Sequence, residues 1–539
     1  VKTEQVVPAV LERLESLNEQ IFSTAELAED PQEAAMLRRA GHALARRLPL
    51  WREVAAGRPF FLRLWQAVER YELTGSPAEA AQVSALLAAW SAGSEEEARH
   101  RQQLEEYYRN SNLRWEVSEE VLNQWVQPQP TRSFRVRDVI LGRPVIGESR
   151  SDSEARFVLV PDASRLRFRL MVVGRVFSAT QSLAGQATFF DHSYGAFVGW
   201  KEIELTEEGL RISPPQVRAD QRVELRGLRT SFDGIPLLGS IAQEIALSQR
   251  ERSMPEAQAE ARQKLIARIV QQFETEATPK LSRLQYLLET RLLAPARKLE
   301  LRPTLVQACT FTDRMIARWR LAGEGQLGGH TPRPRLPEEV AIGFQIHQSA
   351  VNNVLARLEL AGNVFTPAQL RARIAQLLDW PELLEGEPPR EDVQIWFADK
   401  DPVQIQFDEG RLRVTLAVAR LEKSPHVWEN FLVRVAYRPE RIGEETQFVR
   451  DGVVSLTGDS LSLKDQIALR GVFSKTFSKD RSWPVLPKIF RERPELAQFR
   501  LSHLVLEDGW FSWALAGTGG DSPDRPRGIR ARFATANHP

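Results

Sequence analysis

The chain has 539 residues, 42% of them hydrophobic and 27% charged, and a formal net charge of +1. That length exceeds one hydrophobic core, so roughly two to four domains are expected, and the composition excludes a disordered or fibrous chain. The balanced charge gives no overall pull toward nucleic acid or anionic lipid, no run approaches the ~18 apolar residues of a spanning helix, and the lone Cys309 excludes a disulfide framework or a Cys-rich metal site.

Residues 1–112 read as a helical module. Val10, Leu14, Leu17 and Ile21 fall on one helical face, as do Leu37, Ala40, Leu44 and Leu48. Ser76-Pro77-Ala78-Glu79 and Ser94-Glu95-Glu96-Glu97 are helix starts, with a capping serine and a Glu three residues later. Such a series makes a bundle or an appended docking module for a protein partner. The chain begins at Val1 and is read as processed or trimmed; export is compatible with this, although no signal segment is in view.

From residue 113 the period changes to two. Leu113, Trp115 and Val117 alternate with polar residues, and Ser118 to Val126 turns helical. Phe157 to Val160, Leu166 to Val172, Thr188 to Phe190, Phe197 to Trp200, Ile203 to Leu205 and Leu210 to Ile212 read as antiparallel strands. A helical region follows from Ile235 to Ala294, restarted at Ser253-Met254-Pro255-Glu256 and kinked at Pro279. Strands return at Leu305 to Thr310 and Met315 to Ala322. Residues 324–340 form a Gly/Pro-rich connector.

The second half repeats the plan. Ile342 to Ile346 is a strand and Ser349 to Leu360 a helix. Strands are expected at Val393 to Phe397, Val403 to Phe407, Leu412 to Ala419, Phe431 to Tyr437 and Val453 to Leu456. Trp483 to Arg493 reads as a short helix, Leu501 to Leu506 and Trp510 to Leu515 as closing strands, and Pro367 to Leu378 as an inserted helix. Residues 518–539 read as a disordered tail.

Four echoes relate the two halves. Asp220-Gln221-Arg222-Val223-Glu224-Leu225-Arg226-Gly227 is echoed by Asp465-Gln466-Ile467-Ala468-Leu469-Arg470-Gly471. Arg165 to Leu170 is echoed by Arg411 to Leu416, Val121 to Val126 by Ala350 to Leu355, and Trp319 to Gly323 by Trp513 to Gly517. The shared order points to two divergent copies of one unit, 113–323 and 341–517.

This layout resembles the tubular lipid-binding superfamily, the tandem-domain family of bactericidal/permeability-increasing protein. The likeness is carried by the stretch from Pro337 through Ile342-Gly343-Phe344-Gln345-Ile346-His347 to Asn353, similar to that family's second barrel opening. Leu504-Val505-Leu506-Glu507-Asp508-Gly509-Trp510-Phe511-Ser512-Trp513-Ala514 is similar to its last hairpin. The resemblance implies an α+β chain: the helical module, then two tandem domains, each a twisted antiparallel sheet wrapped on a long helix. It also implies non-catalytic binding, with or without transfer, of a lipid or other apolar molecule in grooves between helix and sheet. No cofactor or nucleic acid is called for. An exported, periplasmic or cell-envelope protein is expected, with peripheral membrane contact and no transmembrane segment. The family's first-barrel disulfide cannot form with Cys309 alone, and residues 1–112 have no counterpart in the family.

Candidate groove residues in the first unit are Val121, Leu122, Trp125, Leu237, Leu238, Ile241 and Ile245. In the second they are Val351, Val354, Leu355, Leu358, Val485 and Ile489. Each is equally a core position in an elongated scaffold with filled interiors, which is the alternative function.

Catalytic signals are sparse. Gly458-Asp459-Ser460-Leu461 has a serine-hydrolase look, but the late His503 has Arg500 where an acid would be expected, so a turn is the better reading. Glu97 and His100 have carboxylate/His helical spacing without a second such pair, and are read as a solvated helix face. His347 is expected to make a helix-end contact. Arg165, Arg167 and Arg169 are read as solvating an exposed strand face. No phosphate loop or dinucleotide fingerprint is present.

Overall fold

The computed structural model describes residues 8–126, 130–235, 237–384 and 392–517. The helical region comprises α1 (Pro8–Leu27), α2 (Pro31–Ala55), α3 (Pro59–Thr74), α4 (Pro77–Ala89) and α5 (Glu95–Tyr108). The expected caps are in place: Ser76 accepts from the Glu79 amide and Ser94 from the Glu97 amide. Leu64, Ala67, Val83, Leu87, Leu104 and Tyr108 form its core.

The first half holds β1 (Leu113–Ser118), α6 (Glu119–Gln124), β2 (Arg132–Ile140), β3 (Arg143–Leu159), β4 (Leu166–Ala184), β5 (Ala187–Thr206), β6 (Gly209–Ile212) and β7 (Gln216–Thr230). A long helical run follows, made of α7 (Leu238–Gln272), α8 (Thr278–Leu288) and α9 (Ala294–Lys298), and then β8 (Arg302–Thr310) and β9 (Arg314–Ala322). The second half holds β10 (Ile342–His347), α10 (Gln348–Ala356), β11 (Val364–Phe365), α11 (Pro367–Leu377), β12 (Gln394–Phe397), β13 (Val403–Asp408), β14 (Arg411–Lys423), β15 (His426–Ile442) and β16 (Glu445–Thr457). It ends with α12 (Leu463–Thr476), β17 (Trp483–Pro484), α13 (Lys488–Glu492), β18 (Phe499–Glu507) and β19 (Trp510–Gly517).

Three antiparallel sheets result. Strands β2 to β7 curl into one half-barrel closed by α7, and β11 to β17 into a second against which α12 packs. Between them a shared sheet runs β18-β19-β10-β1-β9-β8. Its middle pair, β1 and β10, joins the two halves, with Trp115 opposite Phe344 and Leu113 opposite Ile346. The architecture is therefore mixed α+β: a helical region followed by two curled sheets with one long helix. Among the described residues, no helix is long and apolar enough to cross a membrane.

The helical region docks on this centre. The Gly328 amide donates to the Tyr108 carbonyl at 2.7 Å, and the Ala78 amide to Asp401 at 3.0 Å. The His330 ring lies 5.0 Å from Tyr71, 5.8 Å from Tyr108 and 5.5 Å from His347.

Several expectations are corrected. The leading echo does not mark equivalent positions: Asp220 to Gly227 lies in β7, whereas Asp465 to Gly471 lies in α12. Ser462 and Asp465 form a capping box that starts a helix there, which the β7 stretch lacks. Ser253 to Glu256 does not restart the long helix; α7 runs through Pro255. The Ser253 hydroxyl donates to the Gln249 and Arg250 carbonyls in the turn before it, both at 3.2 Å. Beside Pro279 a π-helical turn, Phe273–Ala277, absorbs the misfit, with the Thr278 amide bonding the Phe273 carbonyl five residues back. Trp483 to Arg493 is helical only over α13, because Pro484 and Pro487 hold their preceding residues extended. The separate strands expected between 188 and 205 are one strand, β5. The tail from Thr518 lies outside the described residues.

Candidate ligand cavity

The backbone register of the first half-barrel sorts its inward positions into rows. Nearest the hairpin tips lie Asp138, Val145, Ser182 and Phe189, and then Val136, Gly147, Thr180 and Asp191. The third row is Phe134, Ser149, Ser178, Ser193 and Val223. Toward the shared sheet the rows turn apolar, through Phe197 and Ala219 to Val172 and Val217.

Helix α7 crosses this trough with one face repeating every four residues. Along it run Ser253, Ala257, Ala261, Leu265 and Ile269, with Phe273 one step on. At the large end helix and sheet touch: a Cβ on Gly199 would stand 2.7 Å from the Phe273 ring, and one on Gly195 3.3 Å from Leu265. At the small end Ser253, Ala257 and Ala261 face serines, and the side chains do not fill the gap. A cavity of about 510 Å³ remains, lined by both elements. That lies within the ~300–1,000 Å³ usual for small-molecule sites.

Most charged groups around it are paired; Arg143, at the β2–β3 hairpin, has no ion pair among the described residues. Arg250 on α7 reaches Asp191 at 2.6 Å and lies over the Phe189 ring at 5.3 Å. Burial pushes the Asp191 carboxyl up, with Arg250 opposing. Lys264 meets Asp138 at 2.7 Å; despite the cost of burial, Lys264 and Arg268 hold that carboxyl below its usual range. The Leu141 amide donates to Glu260 at 2.8 Å and ties the β2–β3 hairpin to the helix. At the blind end Lys201 points inward, 2.6 Å from the Thr278 hydroxyl and 2.9 Å from Glu274.

The second half-barrel is packed differently. Phe431, Val433, Tyr437, Phe448, Leu469 and Phe473 form one cluster between its sheet and α12. A smaller cavity of about 360 Å³ lies where α9 meets β9 and α10, bordered by Leu292, Leu299, Leu321, Val354 and Trp380.

None of the thirteen groove residues expected from sequence borders the larger cavity, and Val354 alone borders the smaller. Leu122 is buried with Leu166 and Trp319, and Val121 with Leu496 and Phe499, while Trp125 is half exposed. Leu237, Leu238, Ile241 and Ile245 stand on the exposed start of α7, before it crosses the trough. Val351 and Val485 join the core of the second half-barrel, and Leu355 and Leu358 pack with Val354 near Leu301. The Ile489 side chain lies outside the described residues. The signal that marks the larger cavity is the small-residue ladder at 253, 257 and 261 facing inward serines.

The remaining candidates have local roles. The Ser460 hydroxyl donates to the Glu429 carbonyl at 3.2 Å. His347 caps α10, its Nδ1 accepting from the Ser349 amide at 3.1 Å, and burial pushes its pKa down. Glu97 and His100 are not on a solvated face: both are buried, His100 2.6 Å from Glu53 and Glu97 ion-paired with Arg58. Arg167 and Arg169 share Glu202 on the outer face of the sheet. Among the described residues no three His, Cys, Asp or Glu side chains are grouped to hold a metal.

No family model and no curated protein sequence matches the chain. Among solved structures it is similar to lipopolysaccharide binding protein at 9% identity and a TM-score of 0.27, over 75% of this chain and 98% of that one. It is also similar to P47 of Clostridium botulinum E1 at 9% identity and a TM-score of 0.24, over 76% of this chain and 99% of the other.

Proposed function

We propose that this protein binds a lipid or similar amphiphile, without catalysis, in the first half-barrel. The observation that carries the reading is the cavity of about 510 Å³ held open between α7 and the sheet by Ser253, Ala257 and Ala261. A hydrocarbon chain entering beside Val176, Phe197 and Leu265 would gain about 0.8 kcal/mol per buried CH₂, so affinity needs no reactive group. We read the two halves as worn copies of the tubular lipid-binding plan, joined at β1 and β10. Residues 1–112 are proposed to add a partner-docking face, and the cell envelope is the proposed setting.

Organic extraction of the natively purified protein, followed by mass spectrometry, tests this. One class of amphiphile should be released at near-stoichiometric yield. Blank extracts, together with no uptake of a neutral fluorescent probe, would leave the scaffold reading. The aromatic filling of the second half-barrel supports that alternative for the second half alone.

A further inference from the structure

The face that a lipid-binding sheet turns toward its ligand is expected to be aliphatic. Here the inward face of β3, β4 and β5 carries seven hydroxyls instead: Ser149, Ser151 and Ser153 on β3, Ser178, Thr180 and Ser182 on β4, and Ser193 on β5. Three of them form one continuous row, because Ser149 pairs with Ser178 and Ser178 with Ser193 across adjacent strands. Ser149 and Ser193 are buried, yet only part of the row's bonding capacity is used inside the protein. The Ser149 and Ser178 hydroxyls lie 2.8 Å apart and Ser149 also meets the Phe177 carbonyl at 3.2 Å. The Ser193 and Thr180 hydroxyls have no protein hydrogen-bond partner among the described residues, and both border the cavity.

A cavity-facing hydroxyl with unspent capacity is answered by water or by the polar part of a ligand, and the Gln221 side-chain oxygen on the same lining is buried with no partner, a deficit of about 1–3 kcal/mol unless something answers it. Solubility does not explain the row, since these positions face inward and the outward positions of the same strands carry their own charges, such as Glu148, Arg150 and Arg175. Beyond the row the walls become hydrocarbon at Val176, Phe197, Leu265 and Ile269. The cavity is thus amphipathic along its length. Beside the row Arg250 and Asp191 neutralise each other at 2.6 Å, and the lining cation that has no ion pair among the described residues, Arg143, stands away from the row at the β2–β3 hairpin.

Resting on the lipid-binding reading, we propose that the ligand enters with its polar part inside and that this part is uncharged. A hydroxyl, ester or amide group would lie over Ser149, Ser178 and Ser193, with the hydrocarbon running along Leu265 and Ile269. A free carboxylate or phosphate would lack a counter-ion over the row, and a plain hydrocarbon would leave the hydroxyls unanswered.

The test compares three probes on the full chain at neutral pH: a monoacylglycerol, the fatty acid of equal chain length, and a neutral naphthylamine fluorophore displaced by the other two. The unaltered protein should prefer the monoacylglycerol to the fatty acid. Ser178→Ala with Ser193→Ala should weaken monoacylglycerol binding roughly tenfold, the loss of two modest hydrogen bonds, and leave the naphthylamine within about twofold. Ser178→Thr with Ser193→Thr keeps the hydroxyls and should restore the preference, which separates lost bonding from a damaged fold. Tighter binding of the fatty acid, or equal effects of the alanine pair on both neutral probes, would overturn the proposal while leaving lipid binding intact. If the naphthylamine fails to bind the unaltered protein, lipid binding itself falls, and this proposal with it.

Discussion

Arg250 holds Asp191 at 2.6 Å beneath α7, with only 10% and 13% of the two side chains exposed. The pair crosses from helix to sheet, so it fastens α7 over the tip half of the trough. Replacing Arg250 with Leu leaves a buried carboxylate unanswered and should cost about 3–5 kcal/mol at neutral pH. Burial already raises the Asp191 pKa in the folded state. A carboxyl raised by folding favours the fold while protonated and disfavours it as pH climbs above the ordinary Asp value of 3.8. Arg250→Leu should therefore be least destabilised near pH 4 and most near pH 7 in urea titrations, and Asp191→Asn should rescue it. A pH-independent loss would mean that the pair is not the fastener.

Ala257→Trp or Ala261→Trp should fill the cavity from the helix side. Uptake of a neutral fluorescent probe should fall by at least about tenfold, while the denaturation midpoint shifts little, because the added ring occupies existing space instead of a packed core. The same change at Ile241, on the exposed start of α7, should leave uptake unaltered. Equal loss at both places would put the ligand elsewhere.

Gly199 and Gly195 offer a paired comparison of packing. Alanine at Gly199 drives a methyl to 2.7 Å from Phe273, whereas at Gly195 it meets the more mobile Leu265 at 3.3 Å. Gly199→Ala should cost about 1–3 kcal/mol and Gly195→Ala clearly less, read from chemical denaturation of each variant.

Acid should loosen the helical region from the centre. Burial disfavours the Glu72 carboxylate, but Arg46 and Arg47 outweigh it and bring the pKa down to about 2. Burial brings His330 down to about 4. Both groups are depressed by folding, so both contribute stability at neutral pH that is lost on acidification. For His330 the loss runs from its ordinary 6.5 down to about 4, and for Glu72 from 4.5 to about 2. Protease cleavage within residues 1–112 should rise sharply below pH 5, and His330→Phe should remove the part of that rise between pH 6.5 and 4. A rise between pH 6.5 and 4 that persists in that variant would assign it to another group depressed by burial, the neighbouring His347, and not to His330.

What the sequence showed and what it hid divide along physical lines. Helix starts at Ser76 and Ser94 were legible because capping is local, and strands with an aliphatic inner face, such as Leu166 to Val172, announced themselves by alternation. The middle of β3 did not, because Ser149, Ser151 and Ser153 point inward and its two faces are both polar. That same substitution of serine for aliphatic residues hid the cavity. The groove residues expected at Leu237 to Ile245 followed hydrophobicity, whereas space is made by what is small, at Ser253, Ala257 and Ala261. The helix over Leu463 to Thr476 was missed because a shared string of residue types outweighed the cap at Ser462.

The seam at β1 and β10 has a consequence for any attempt to divide the molecule. Five residue pairs knit one strand from each half, with Trp115 and Phe344 among them. A cut in residues 324–340 would give each fragment a raw border of unpaired backbone beside aromatic side chains, a template for adhesion. The fragments should either heal by rejoining one another or clump with their own kind.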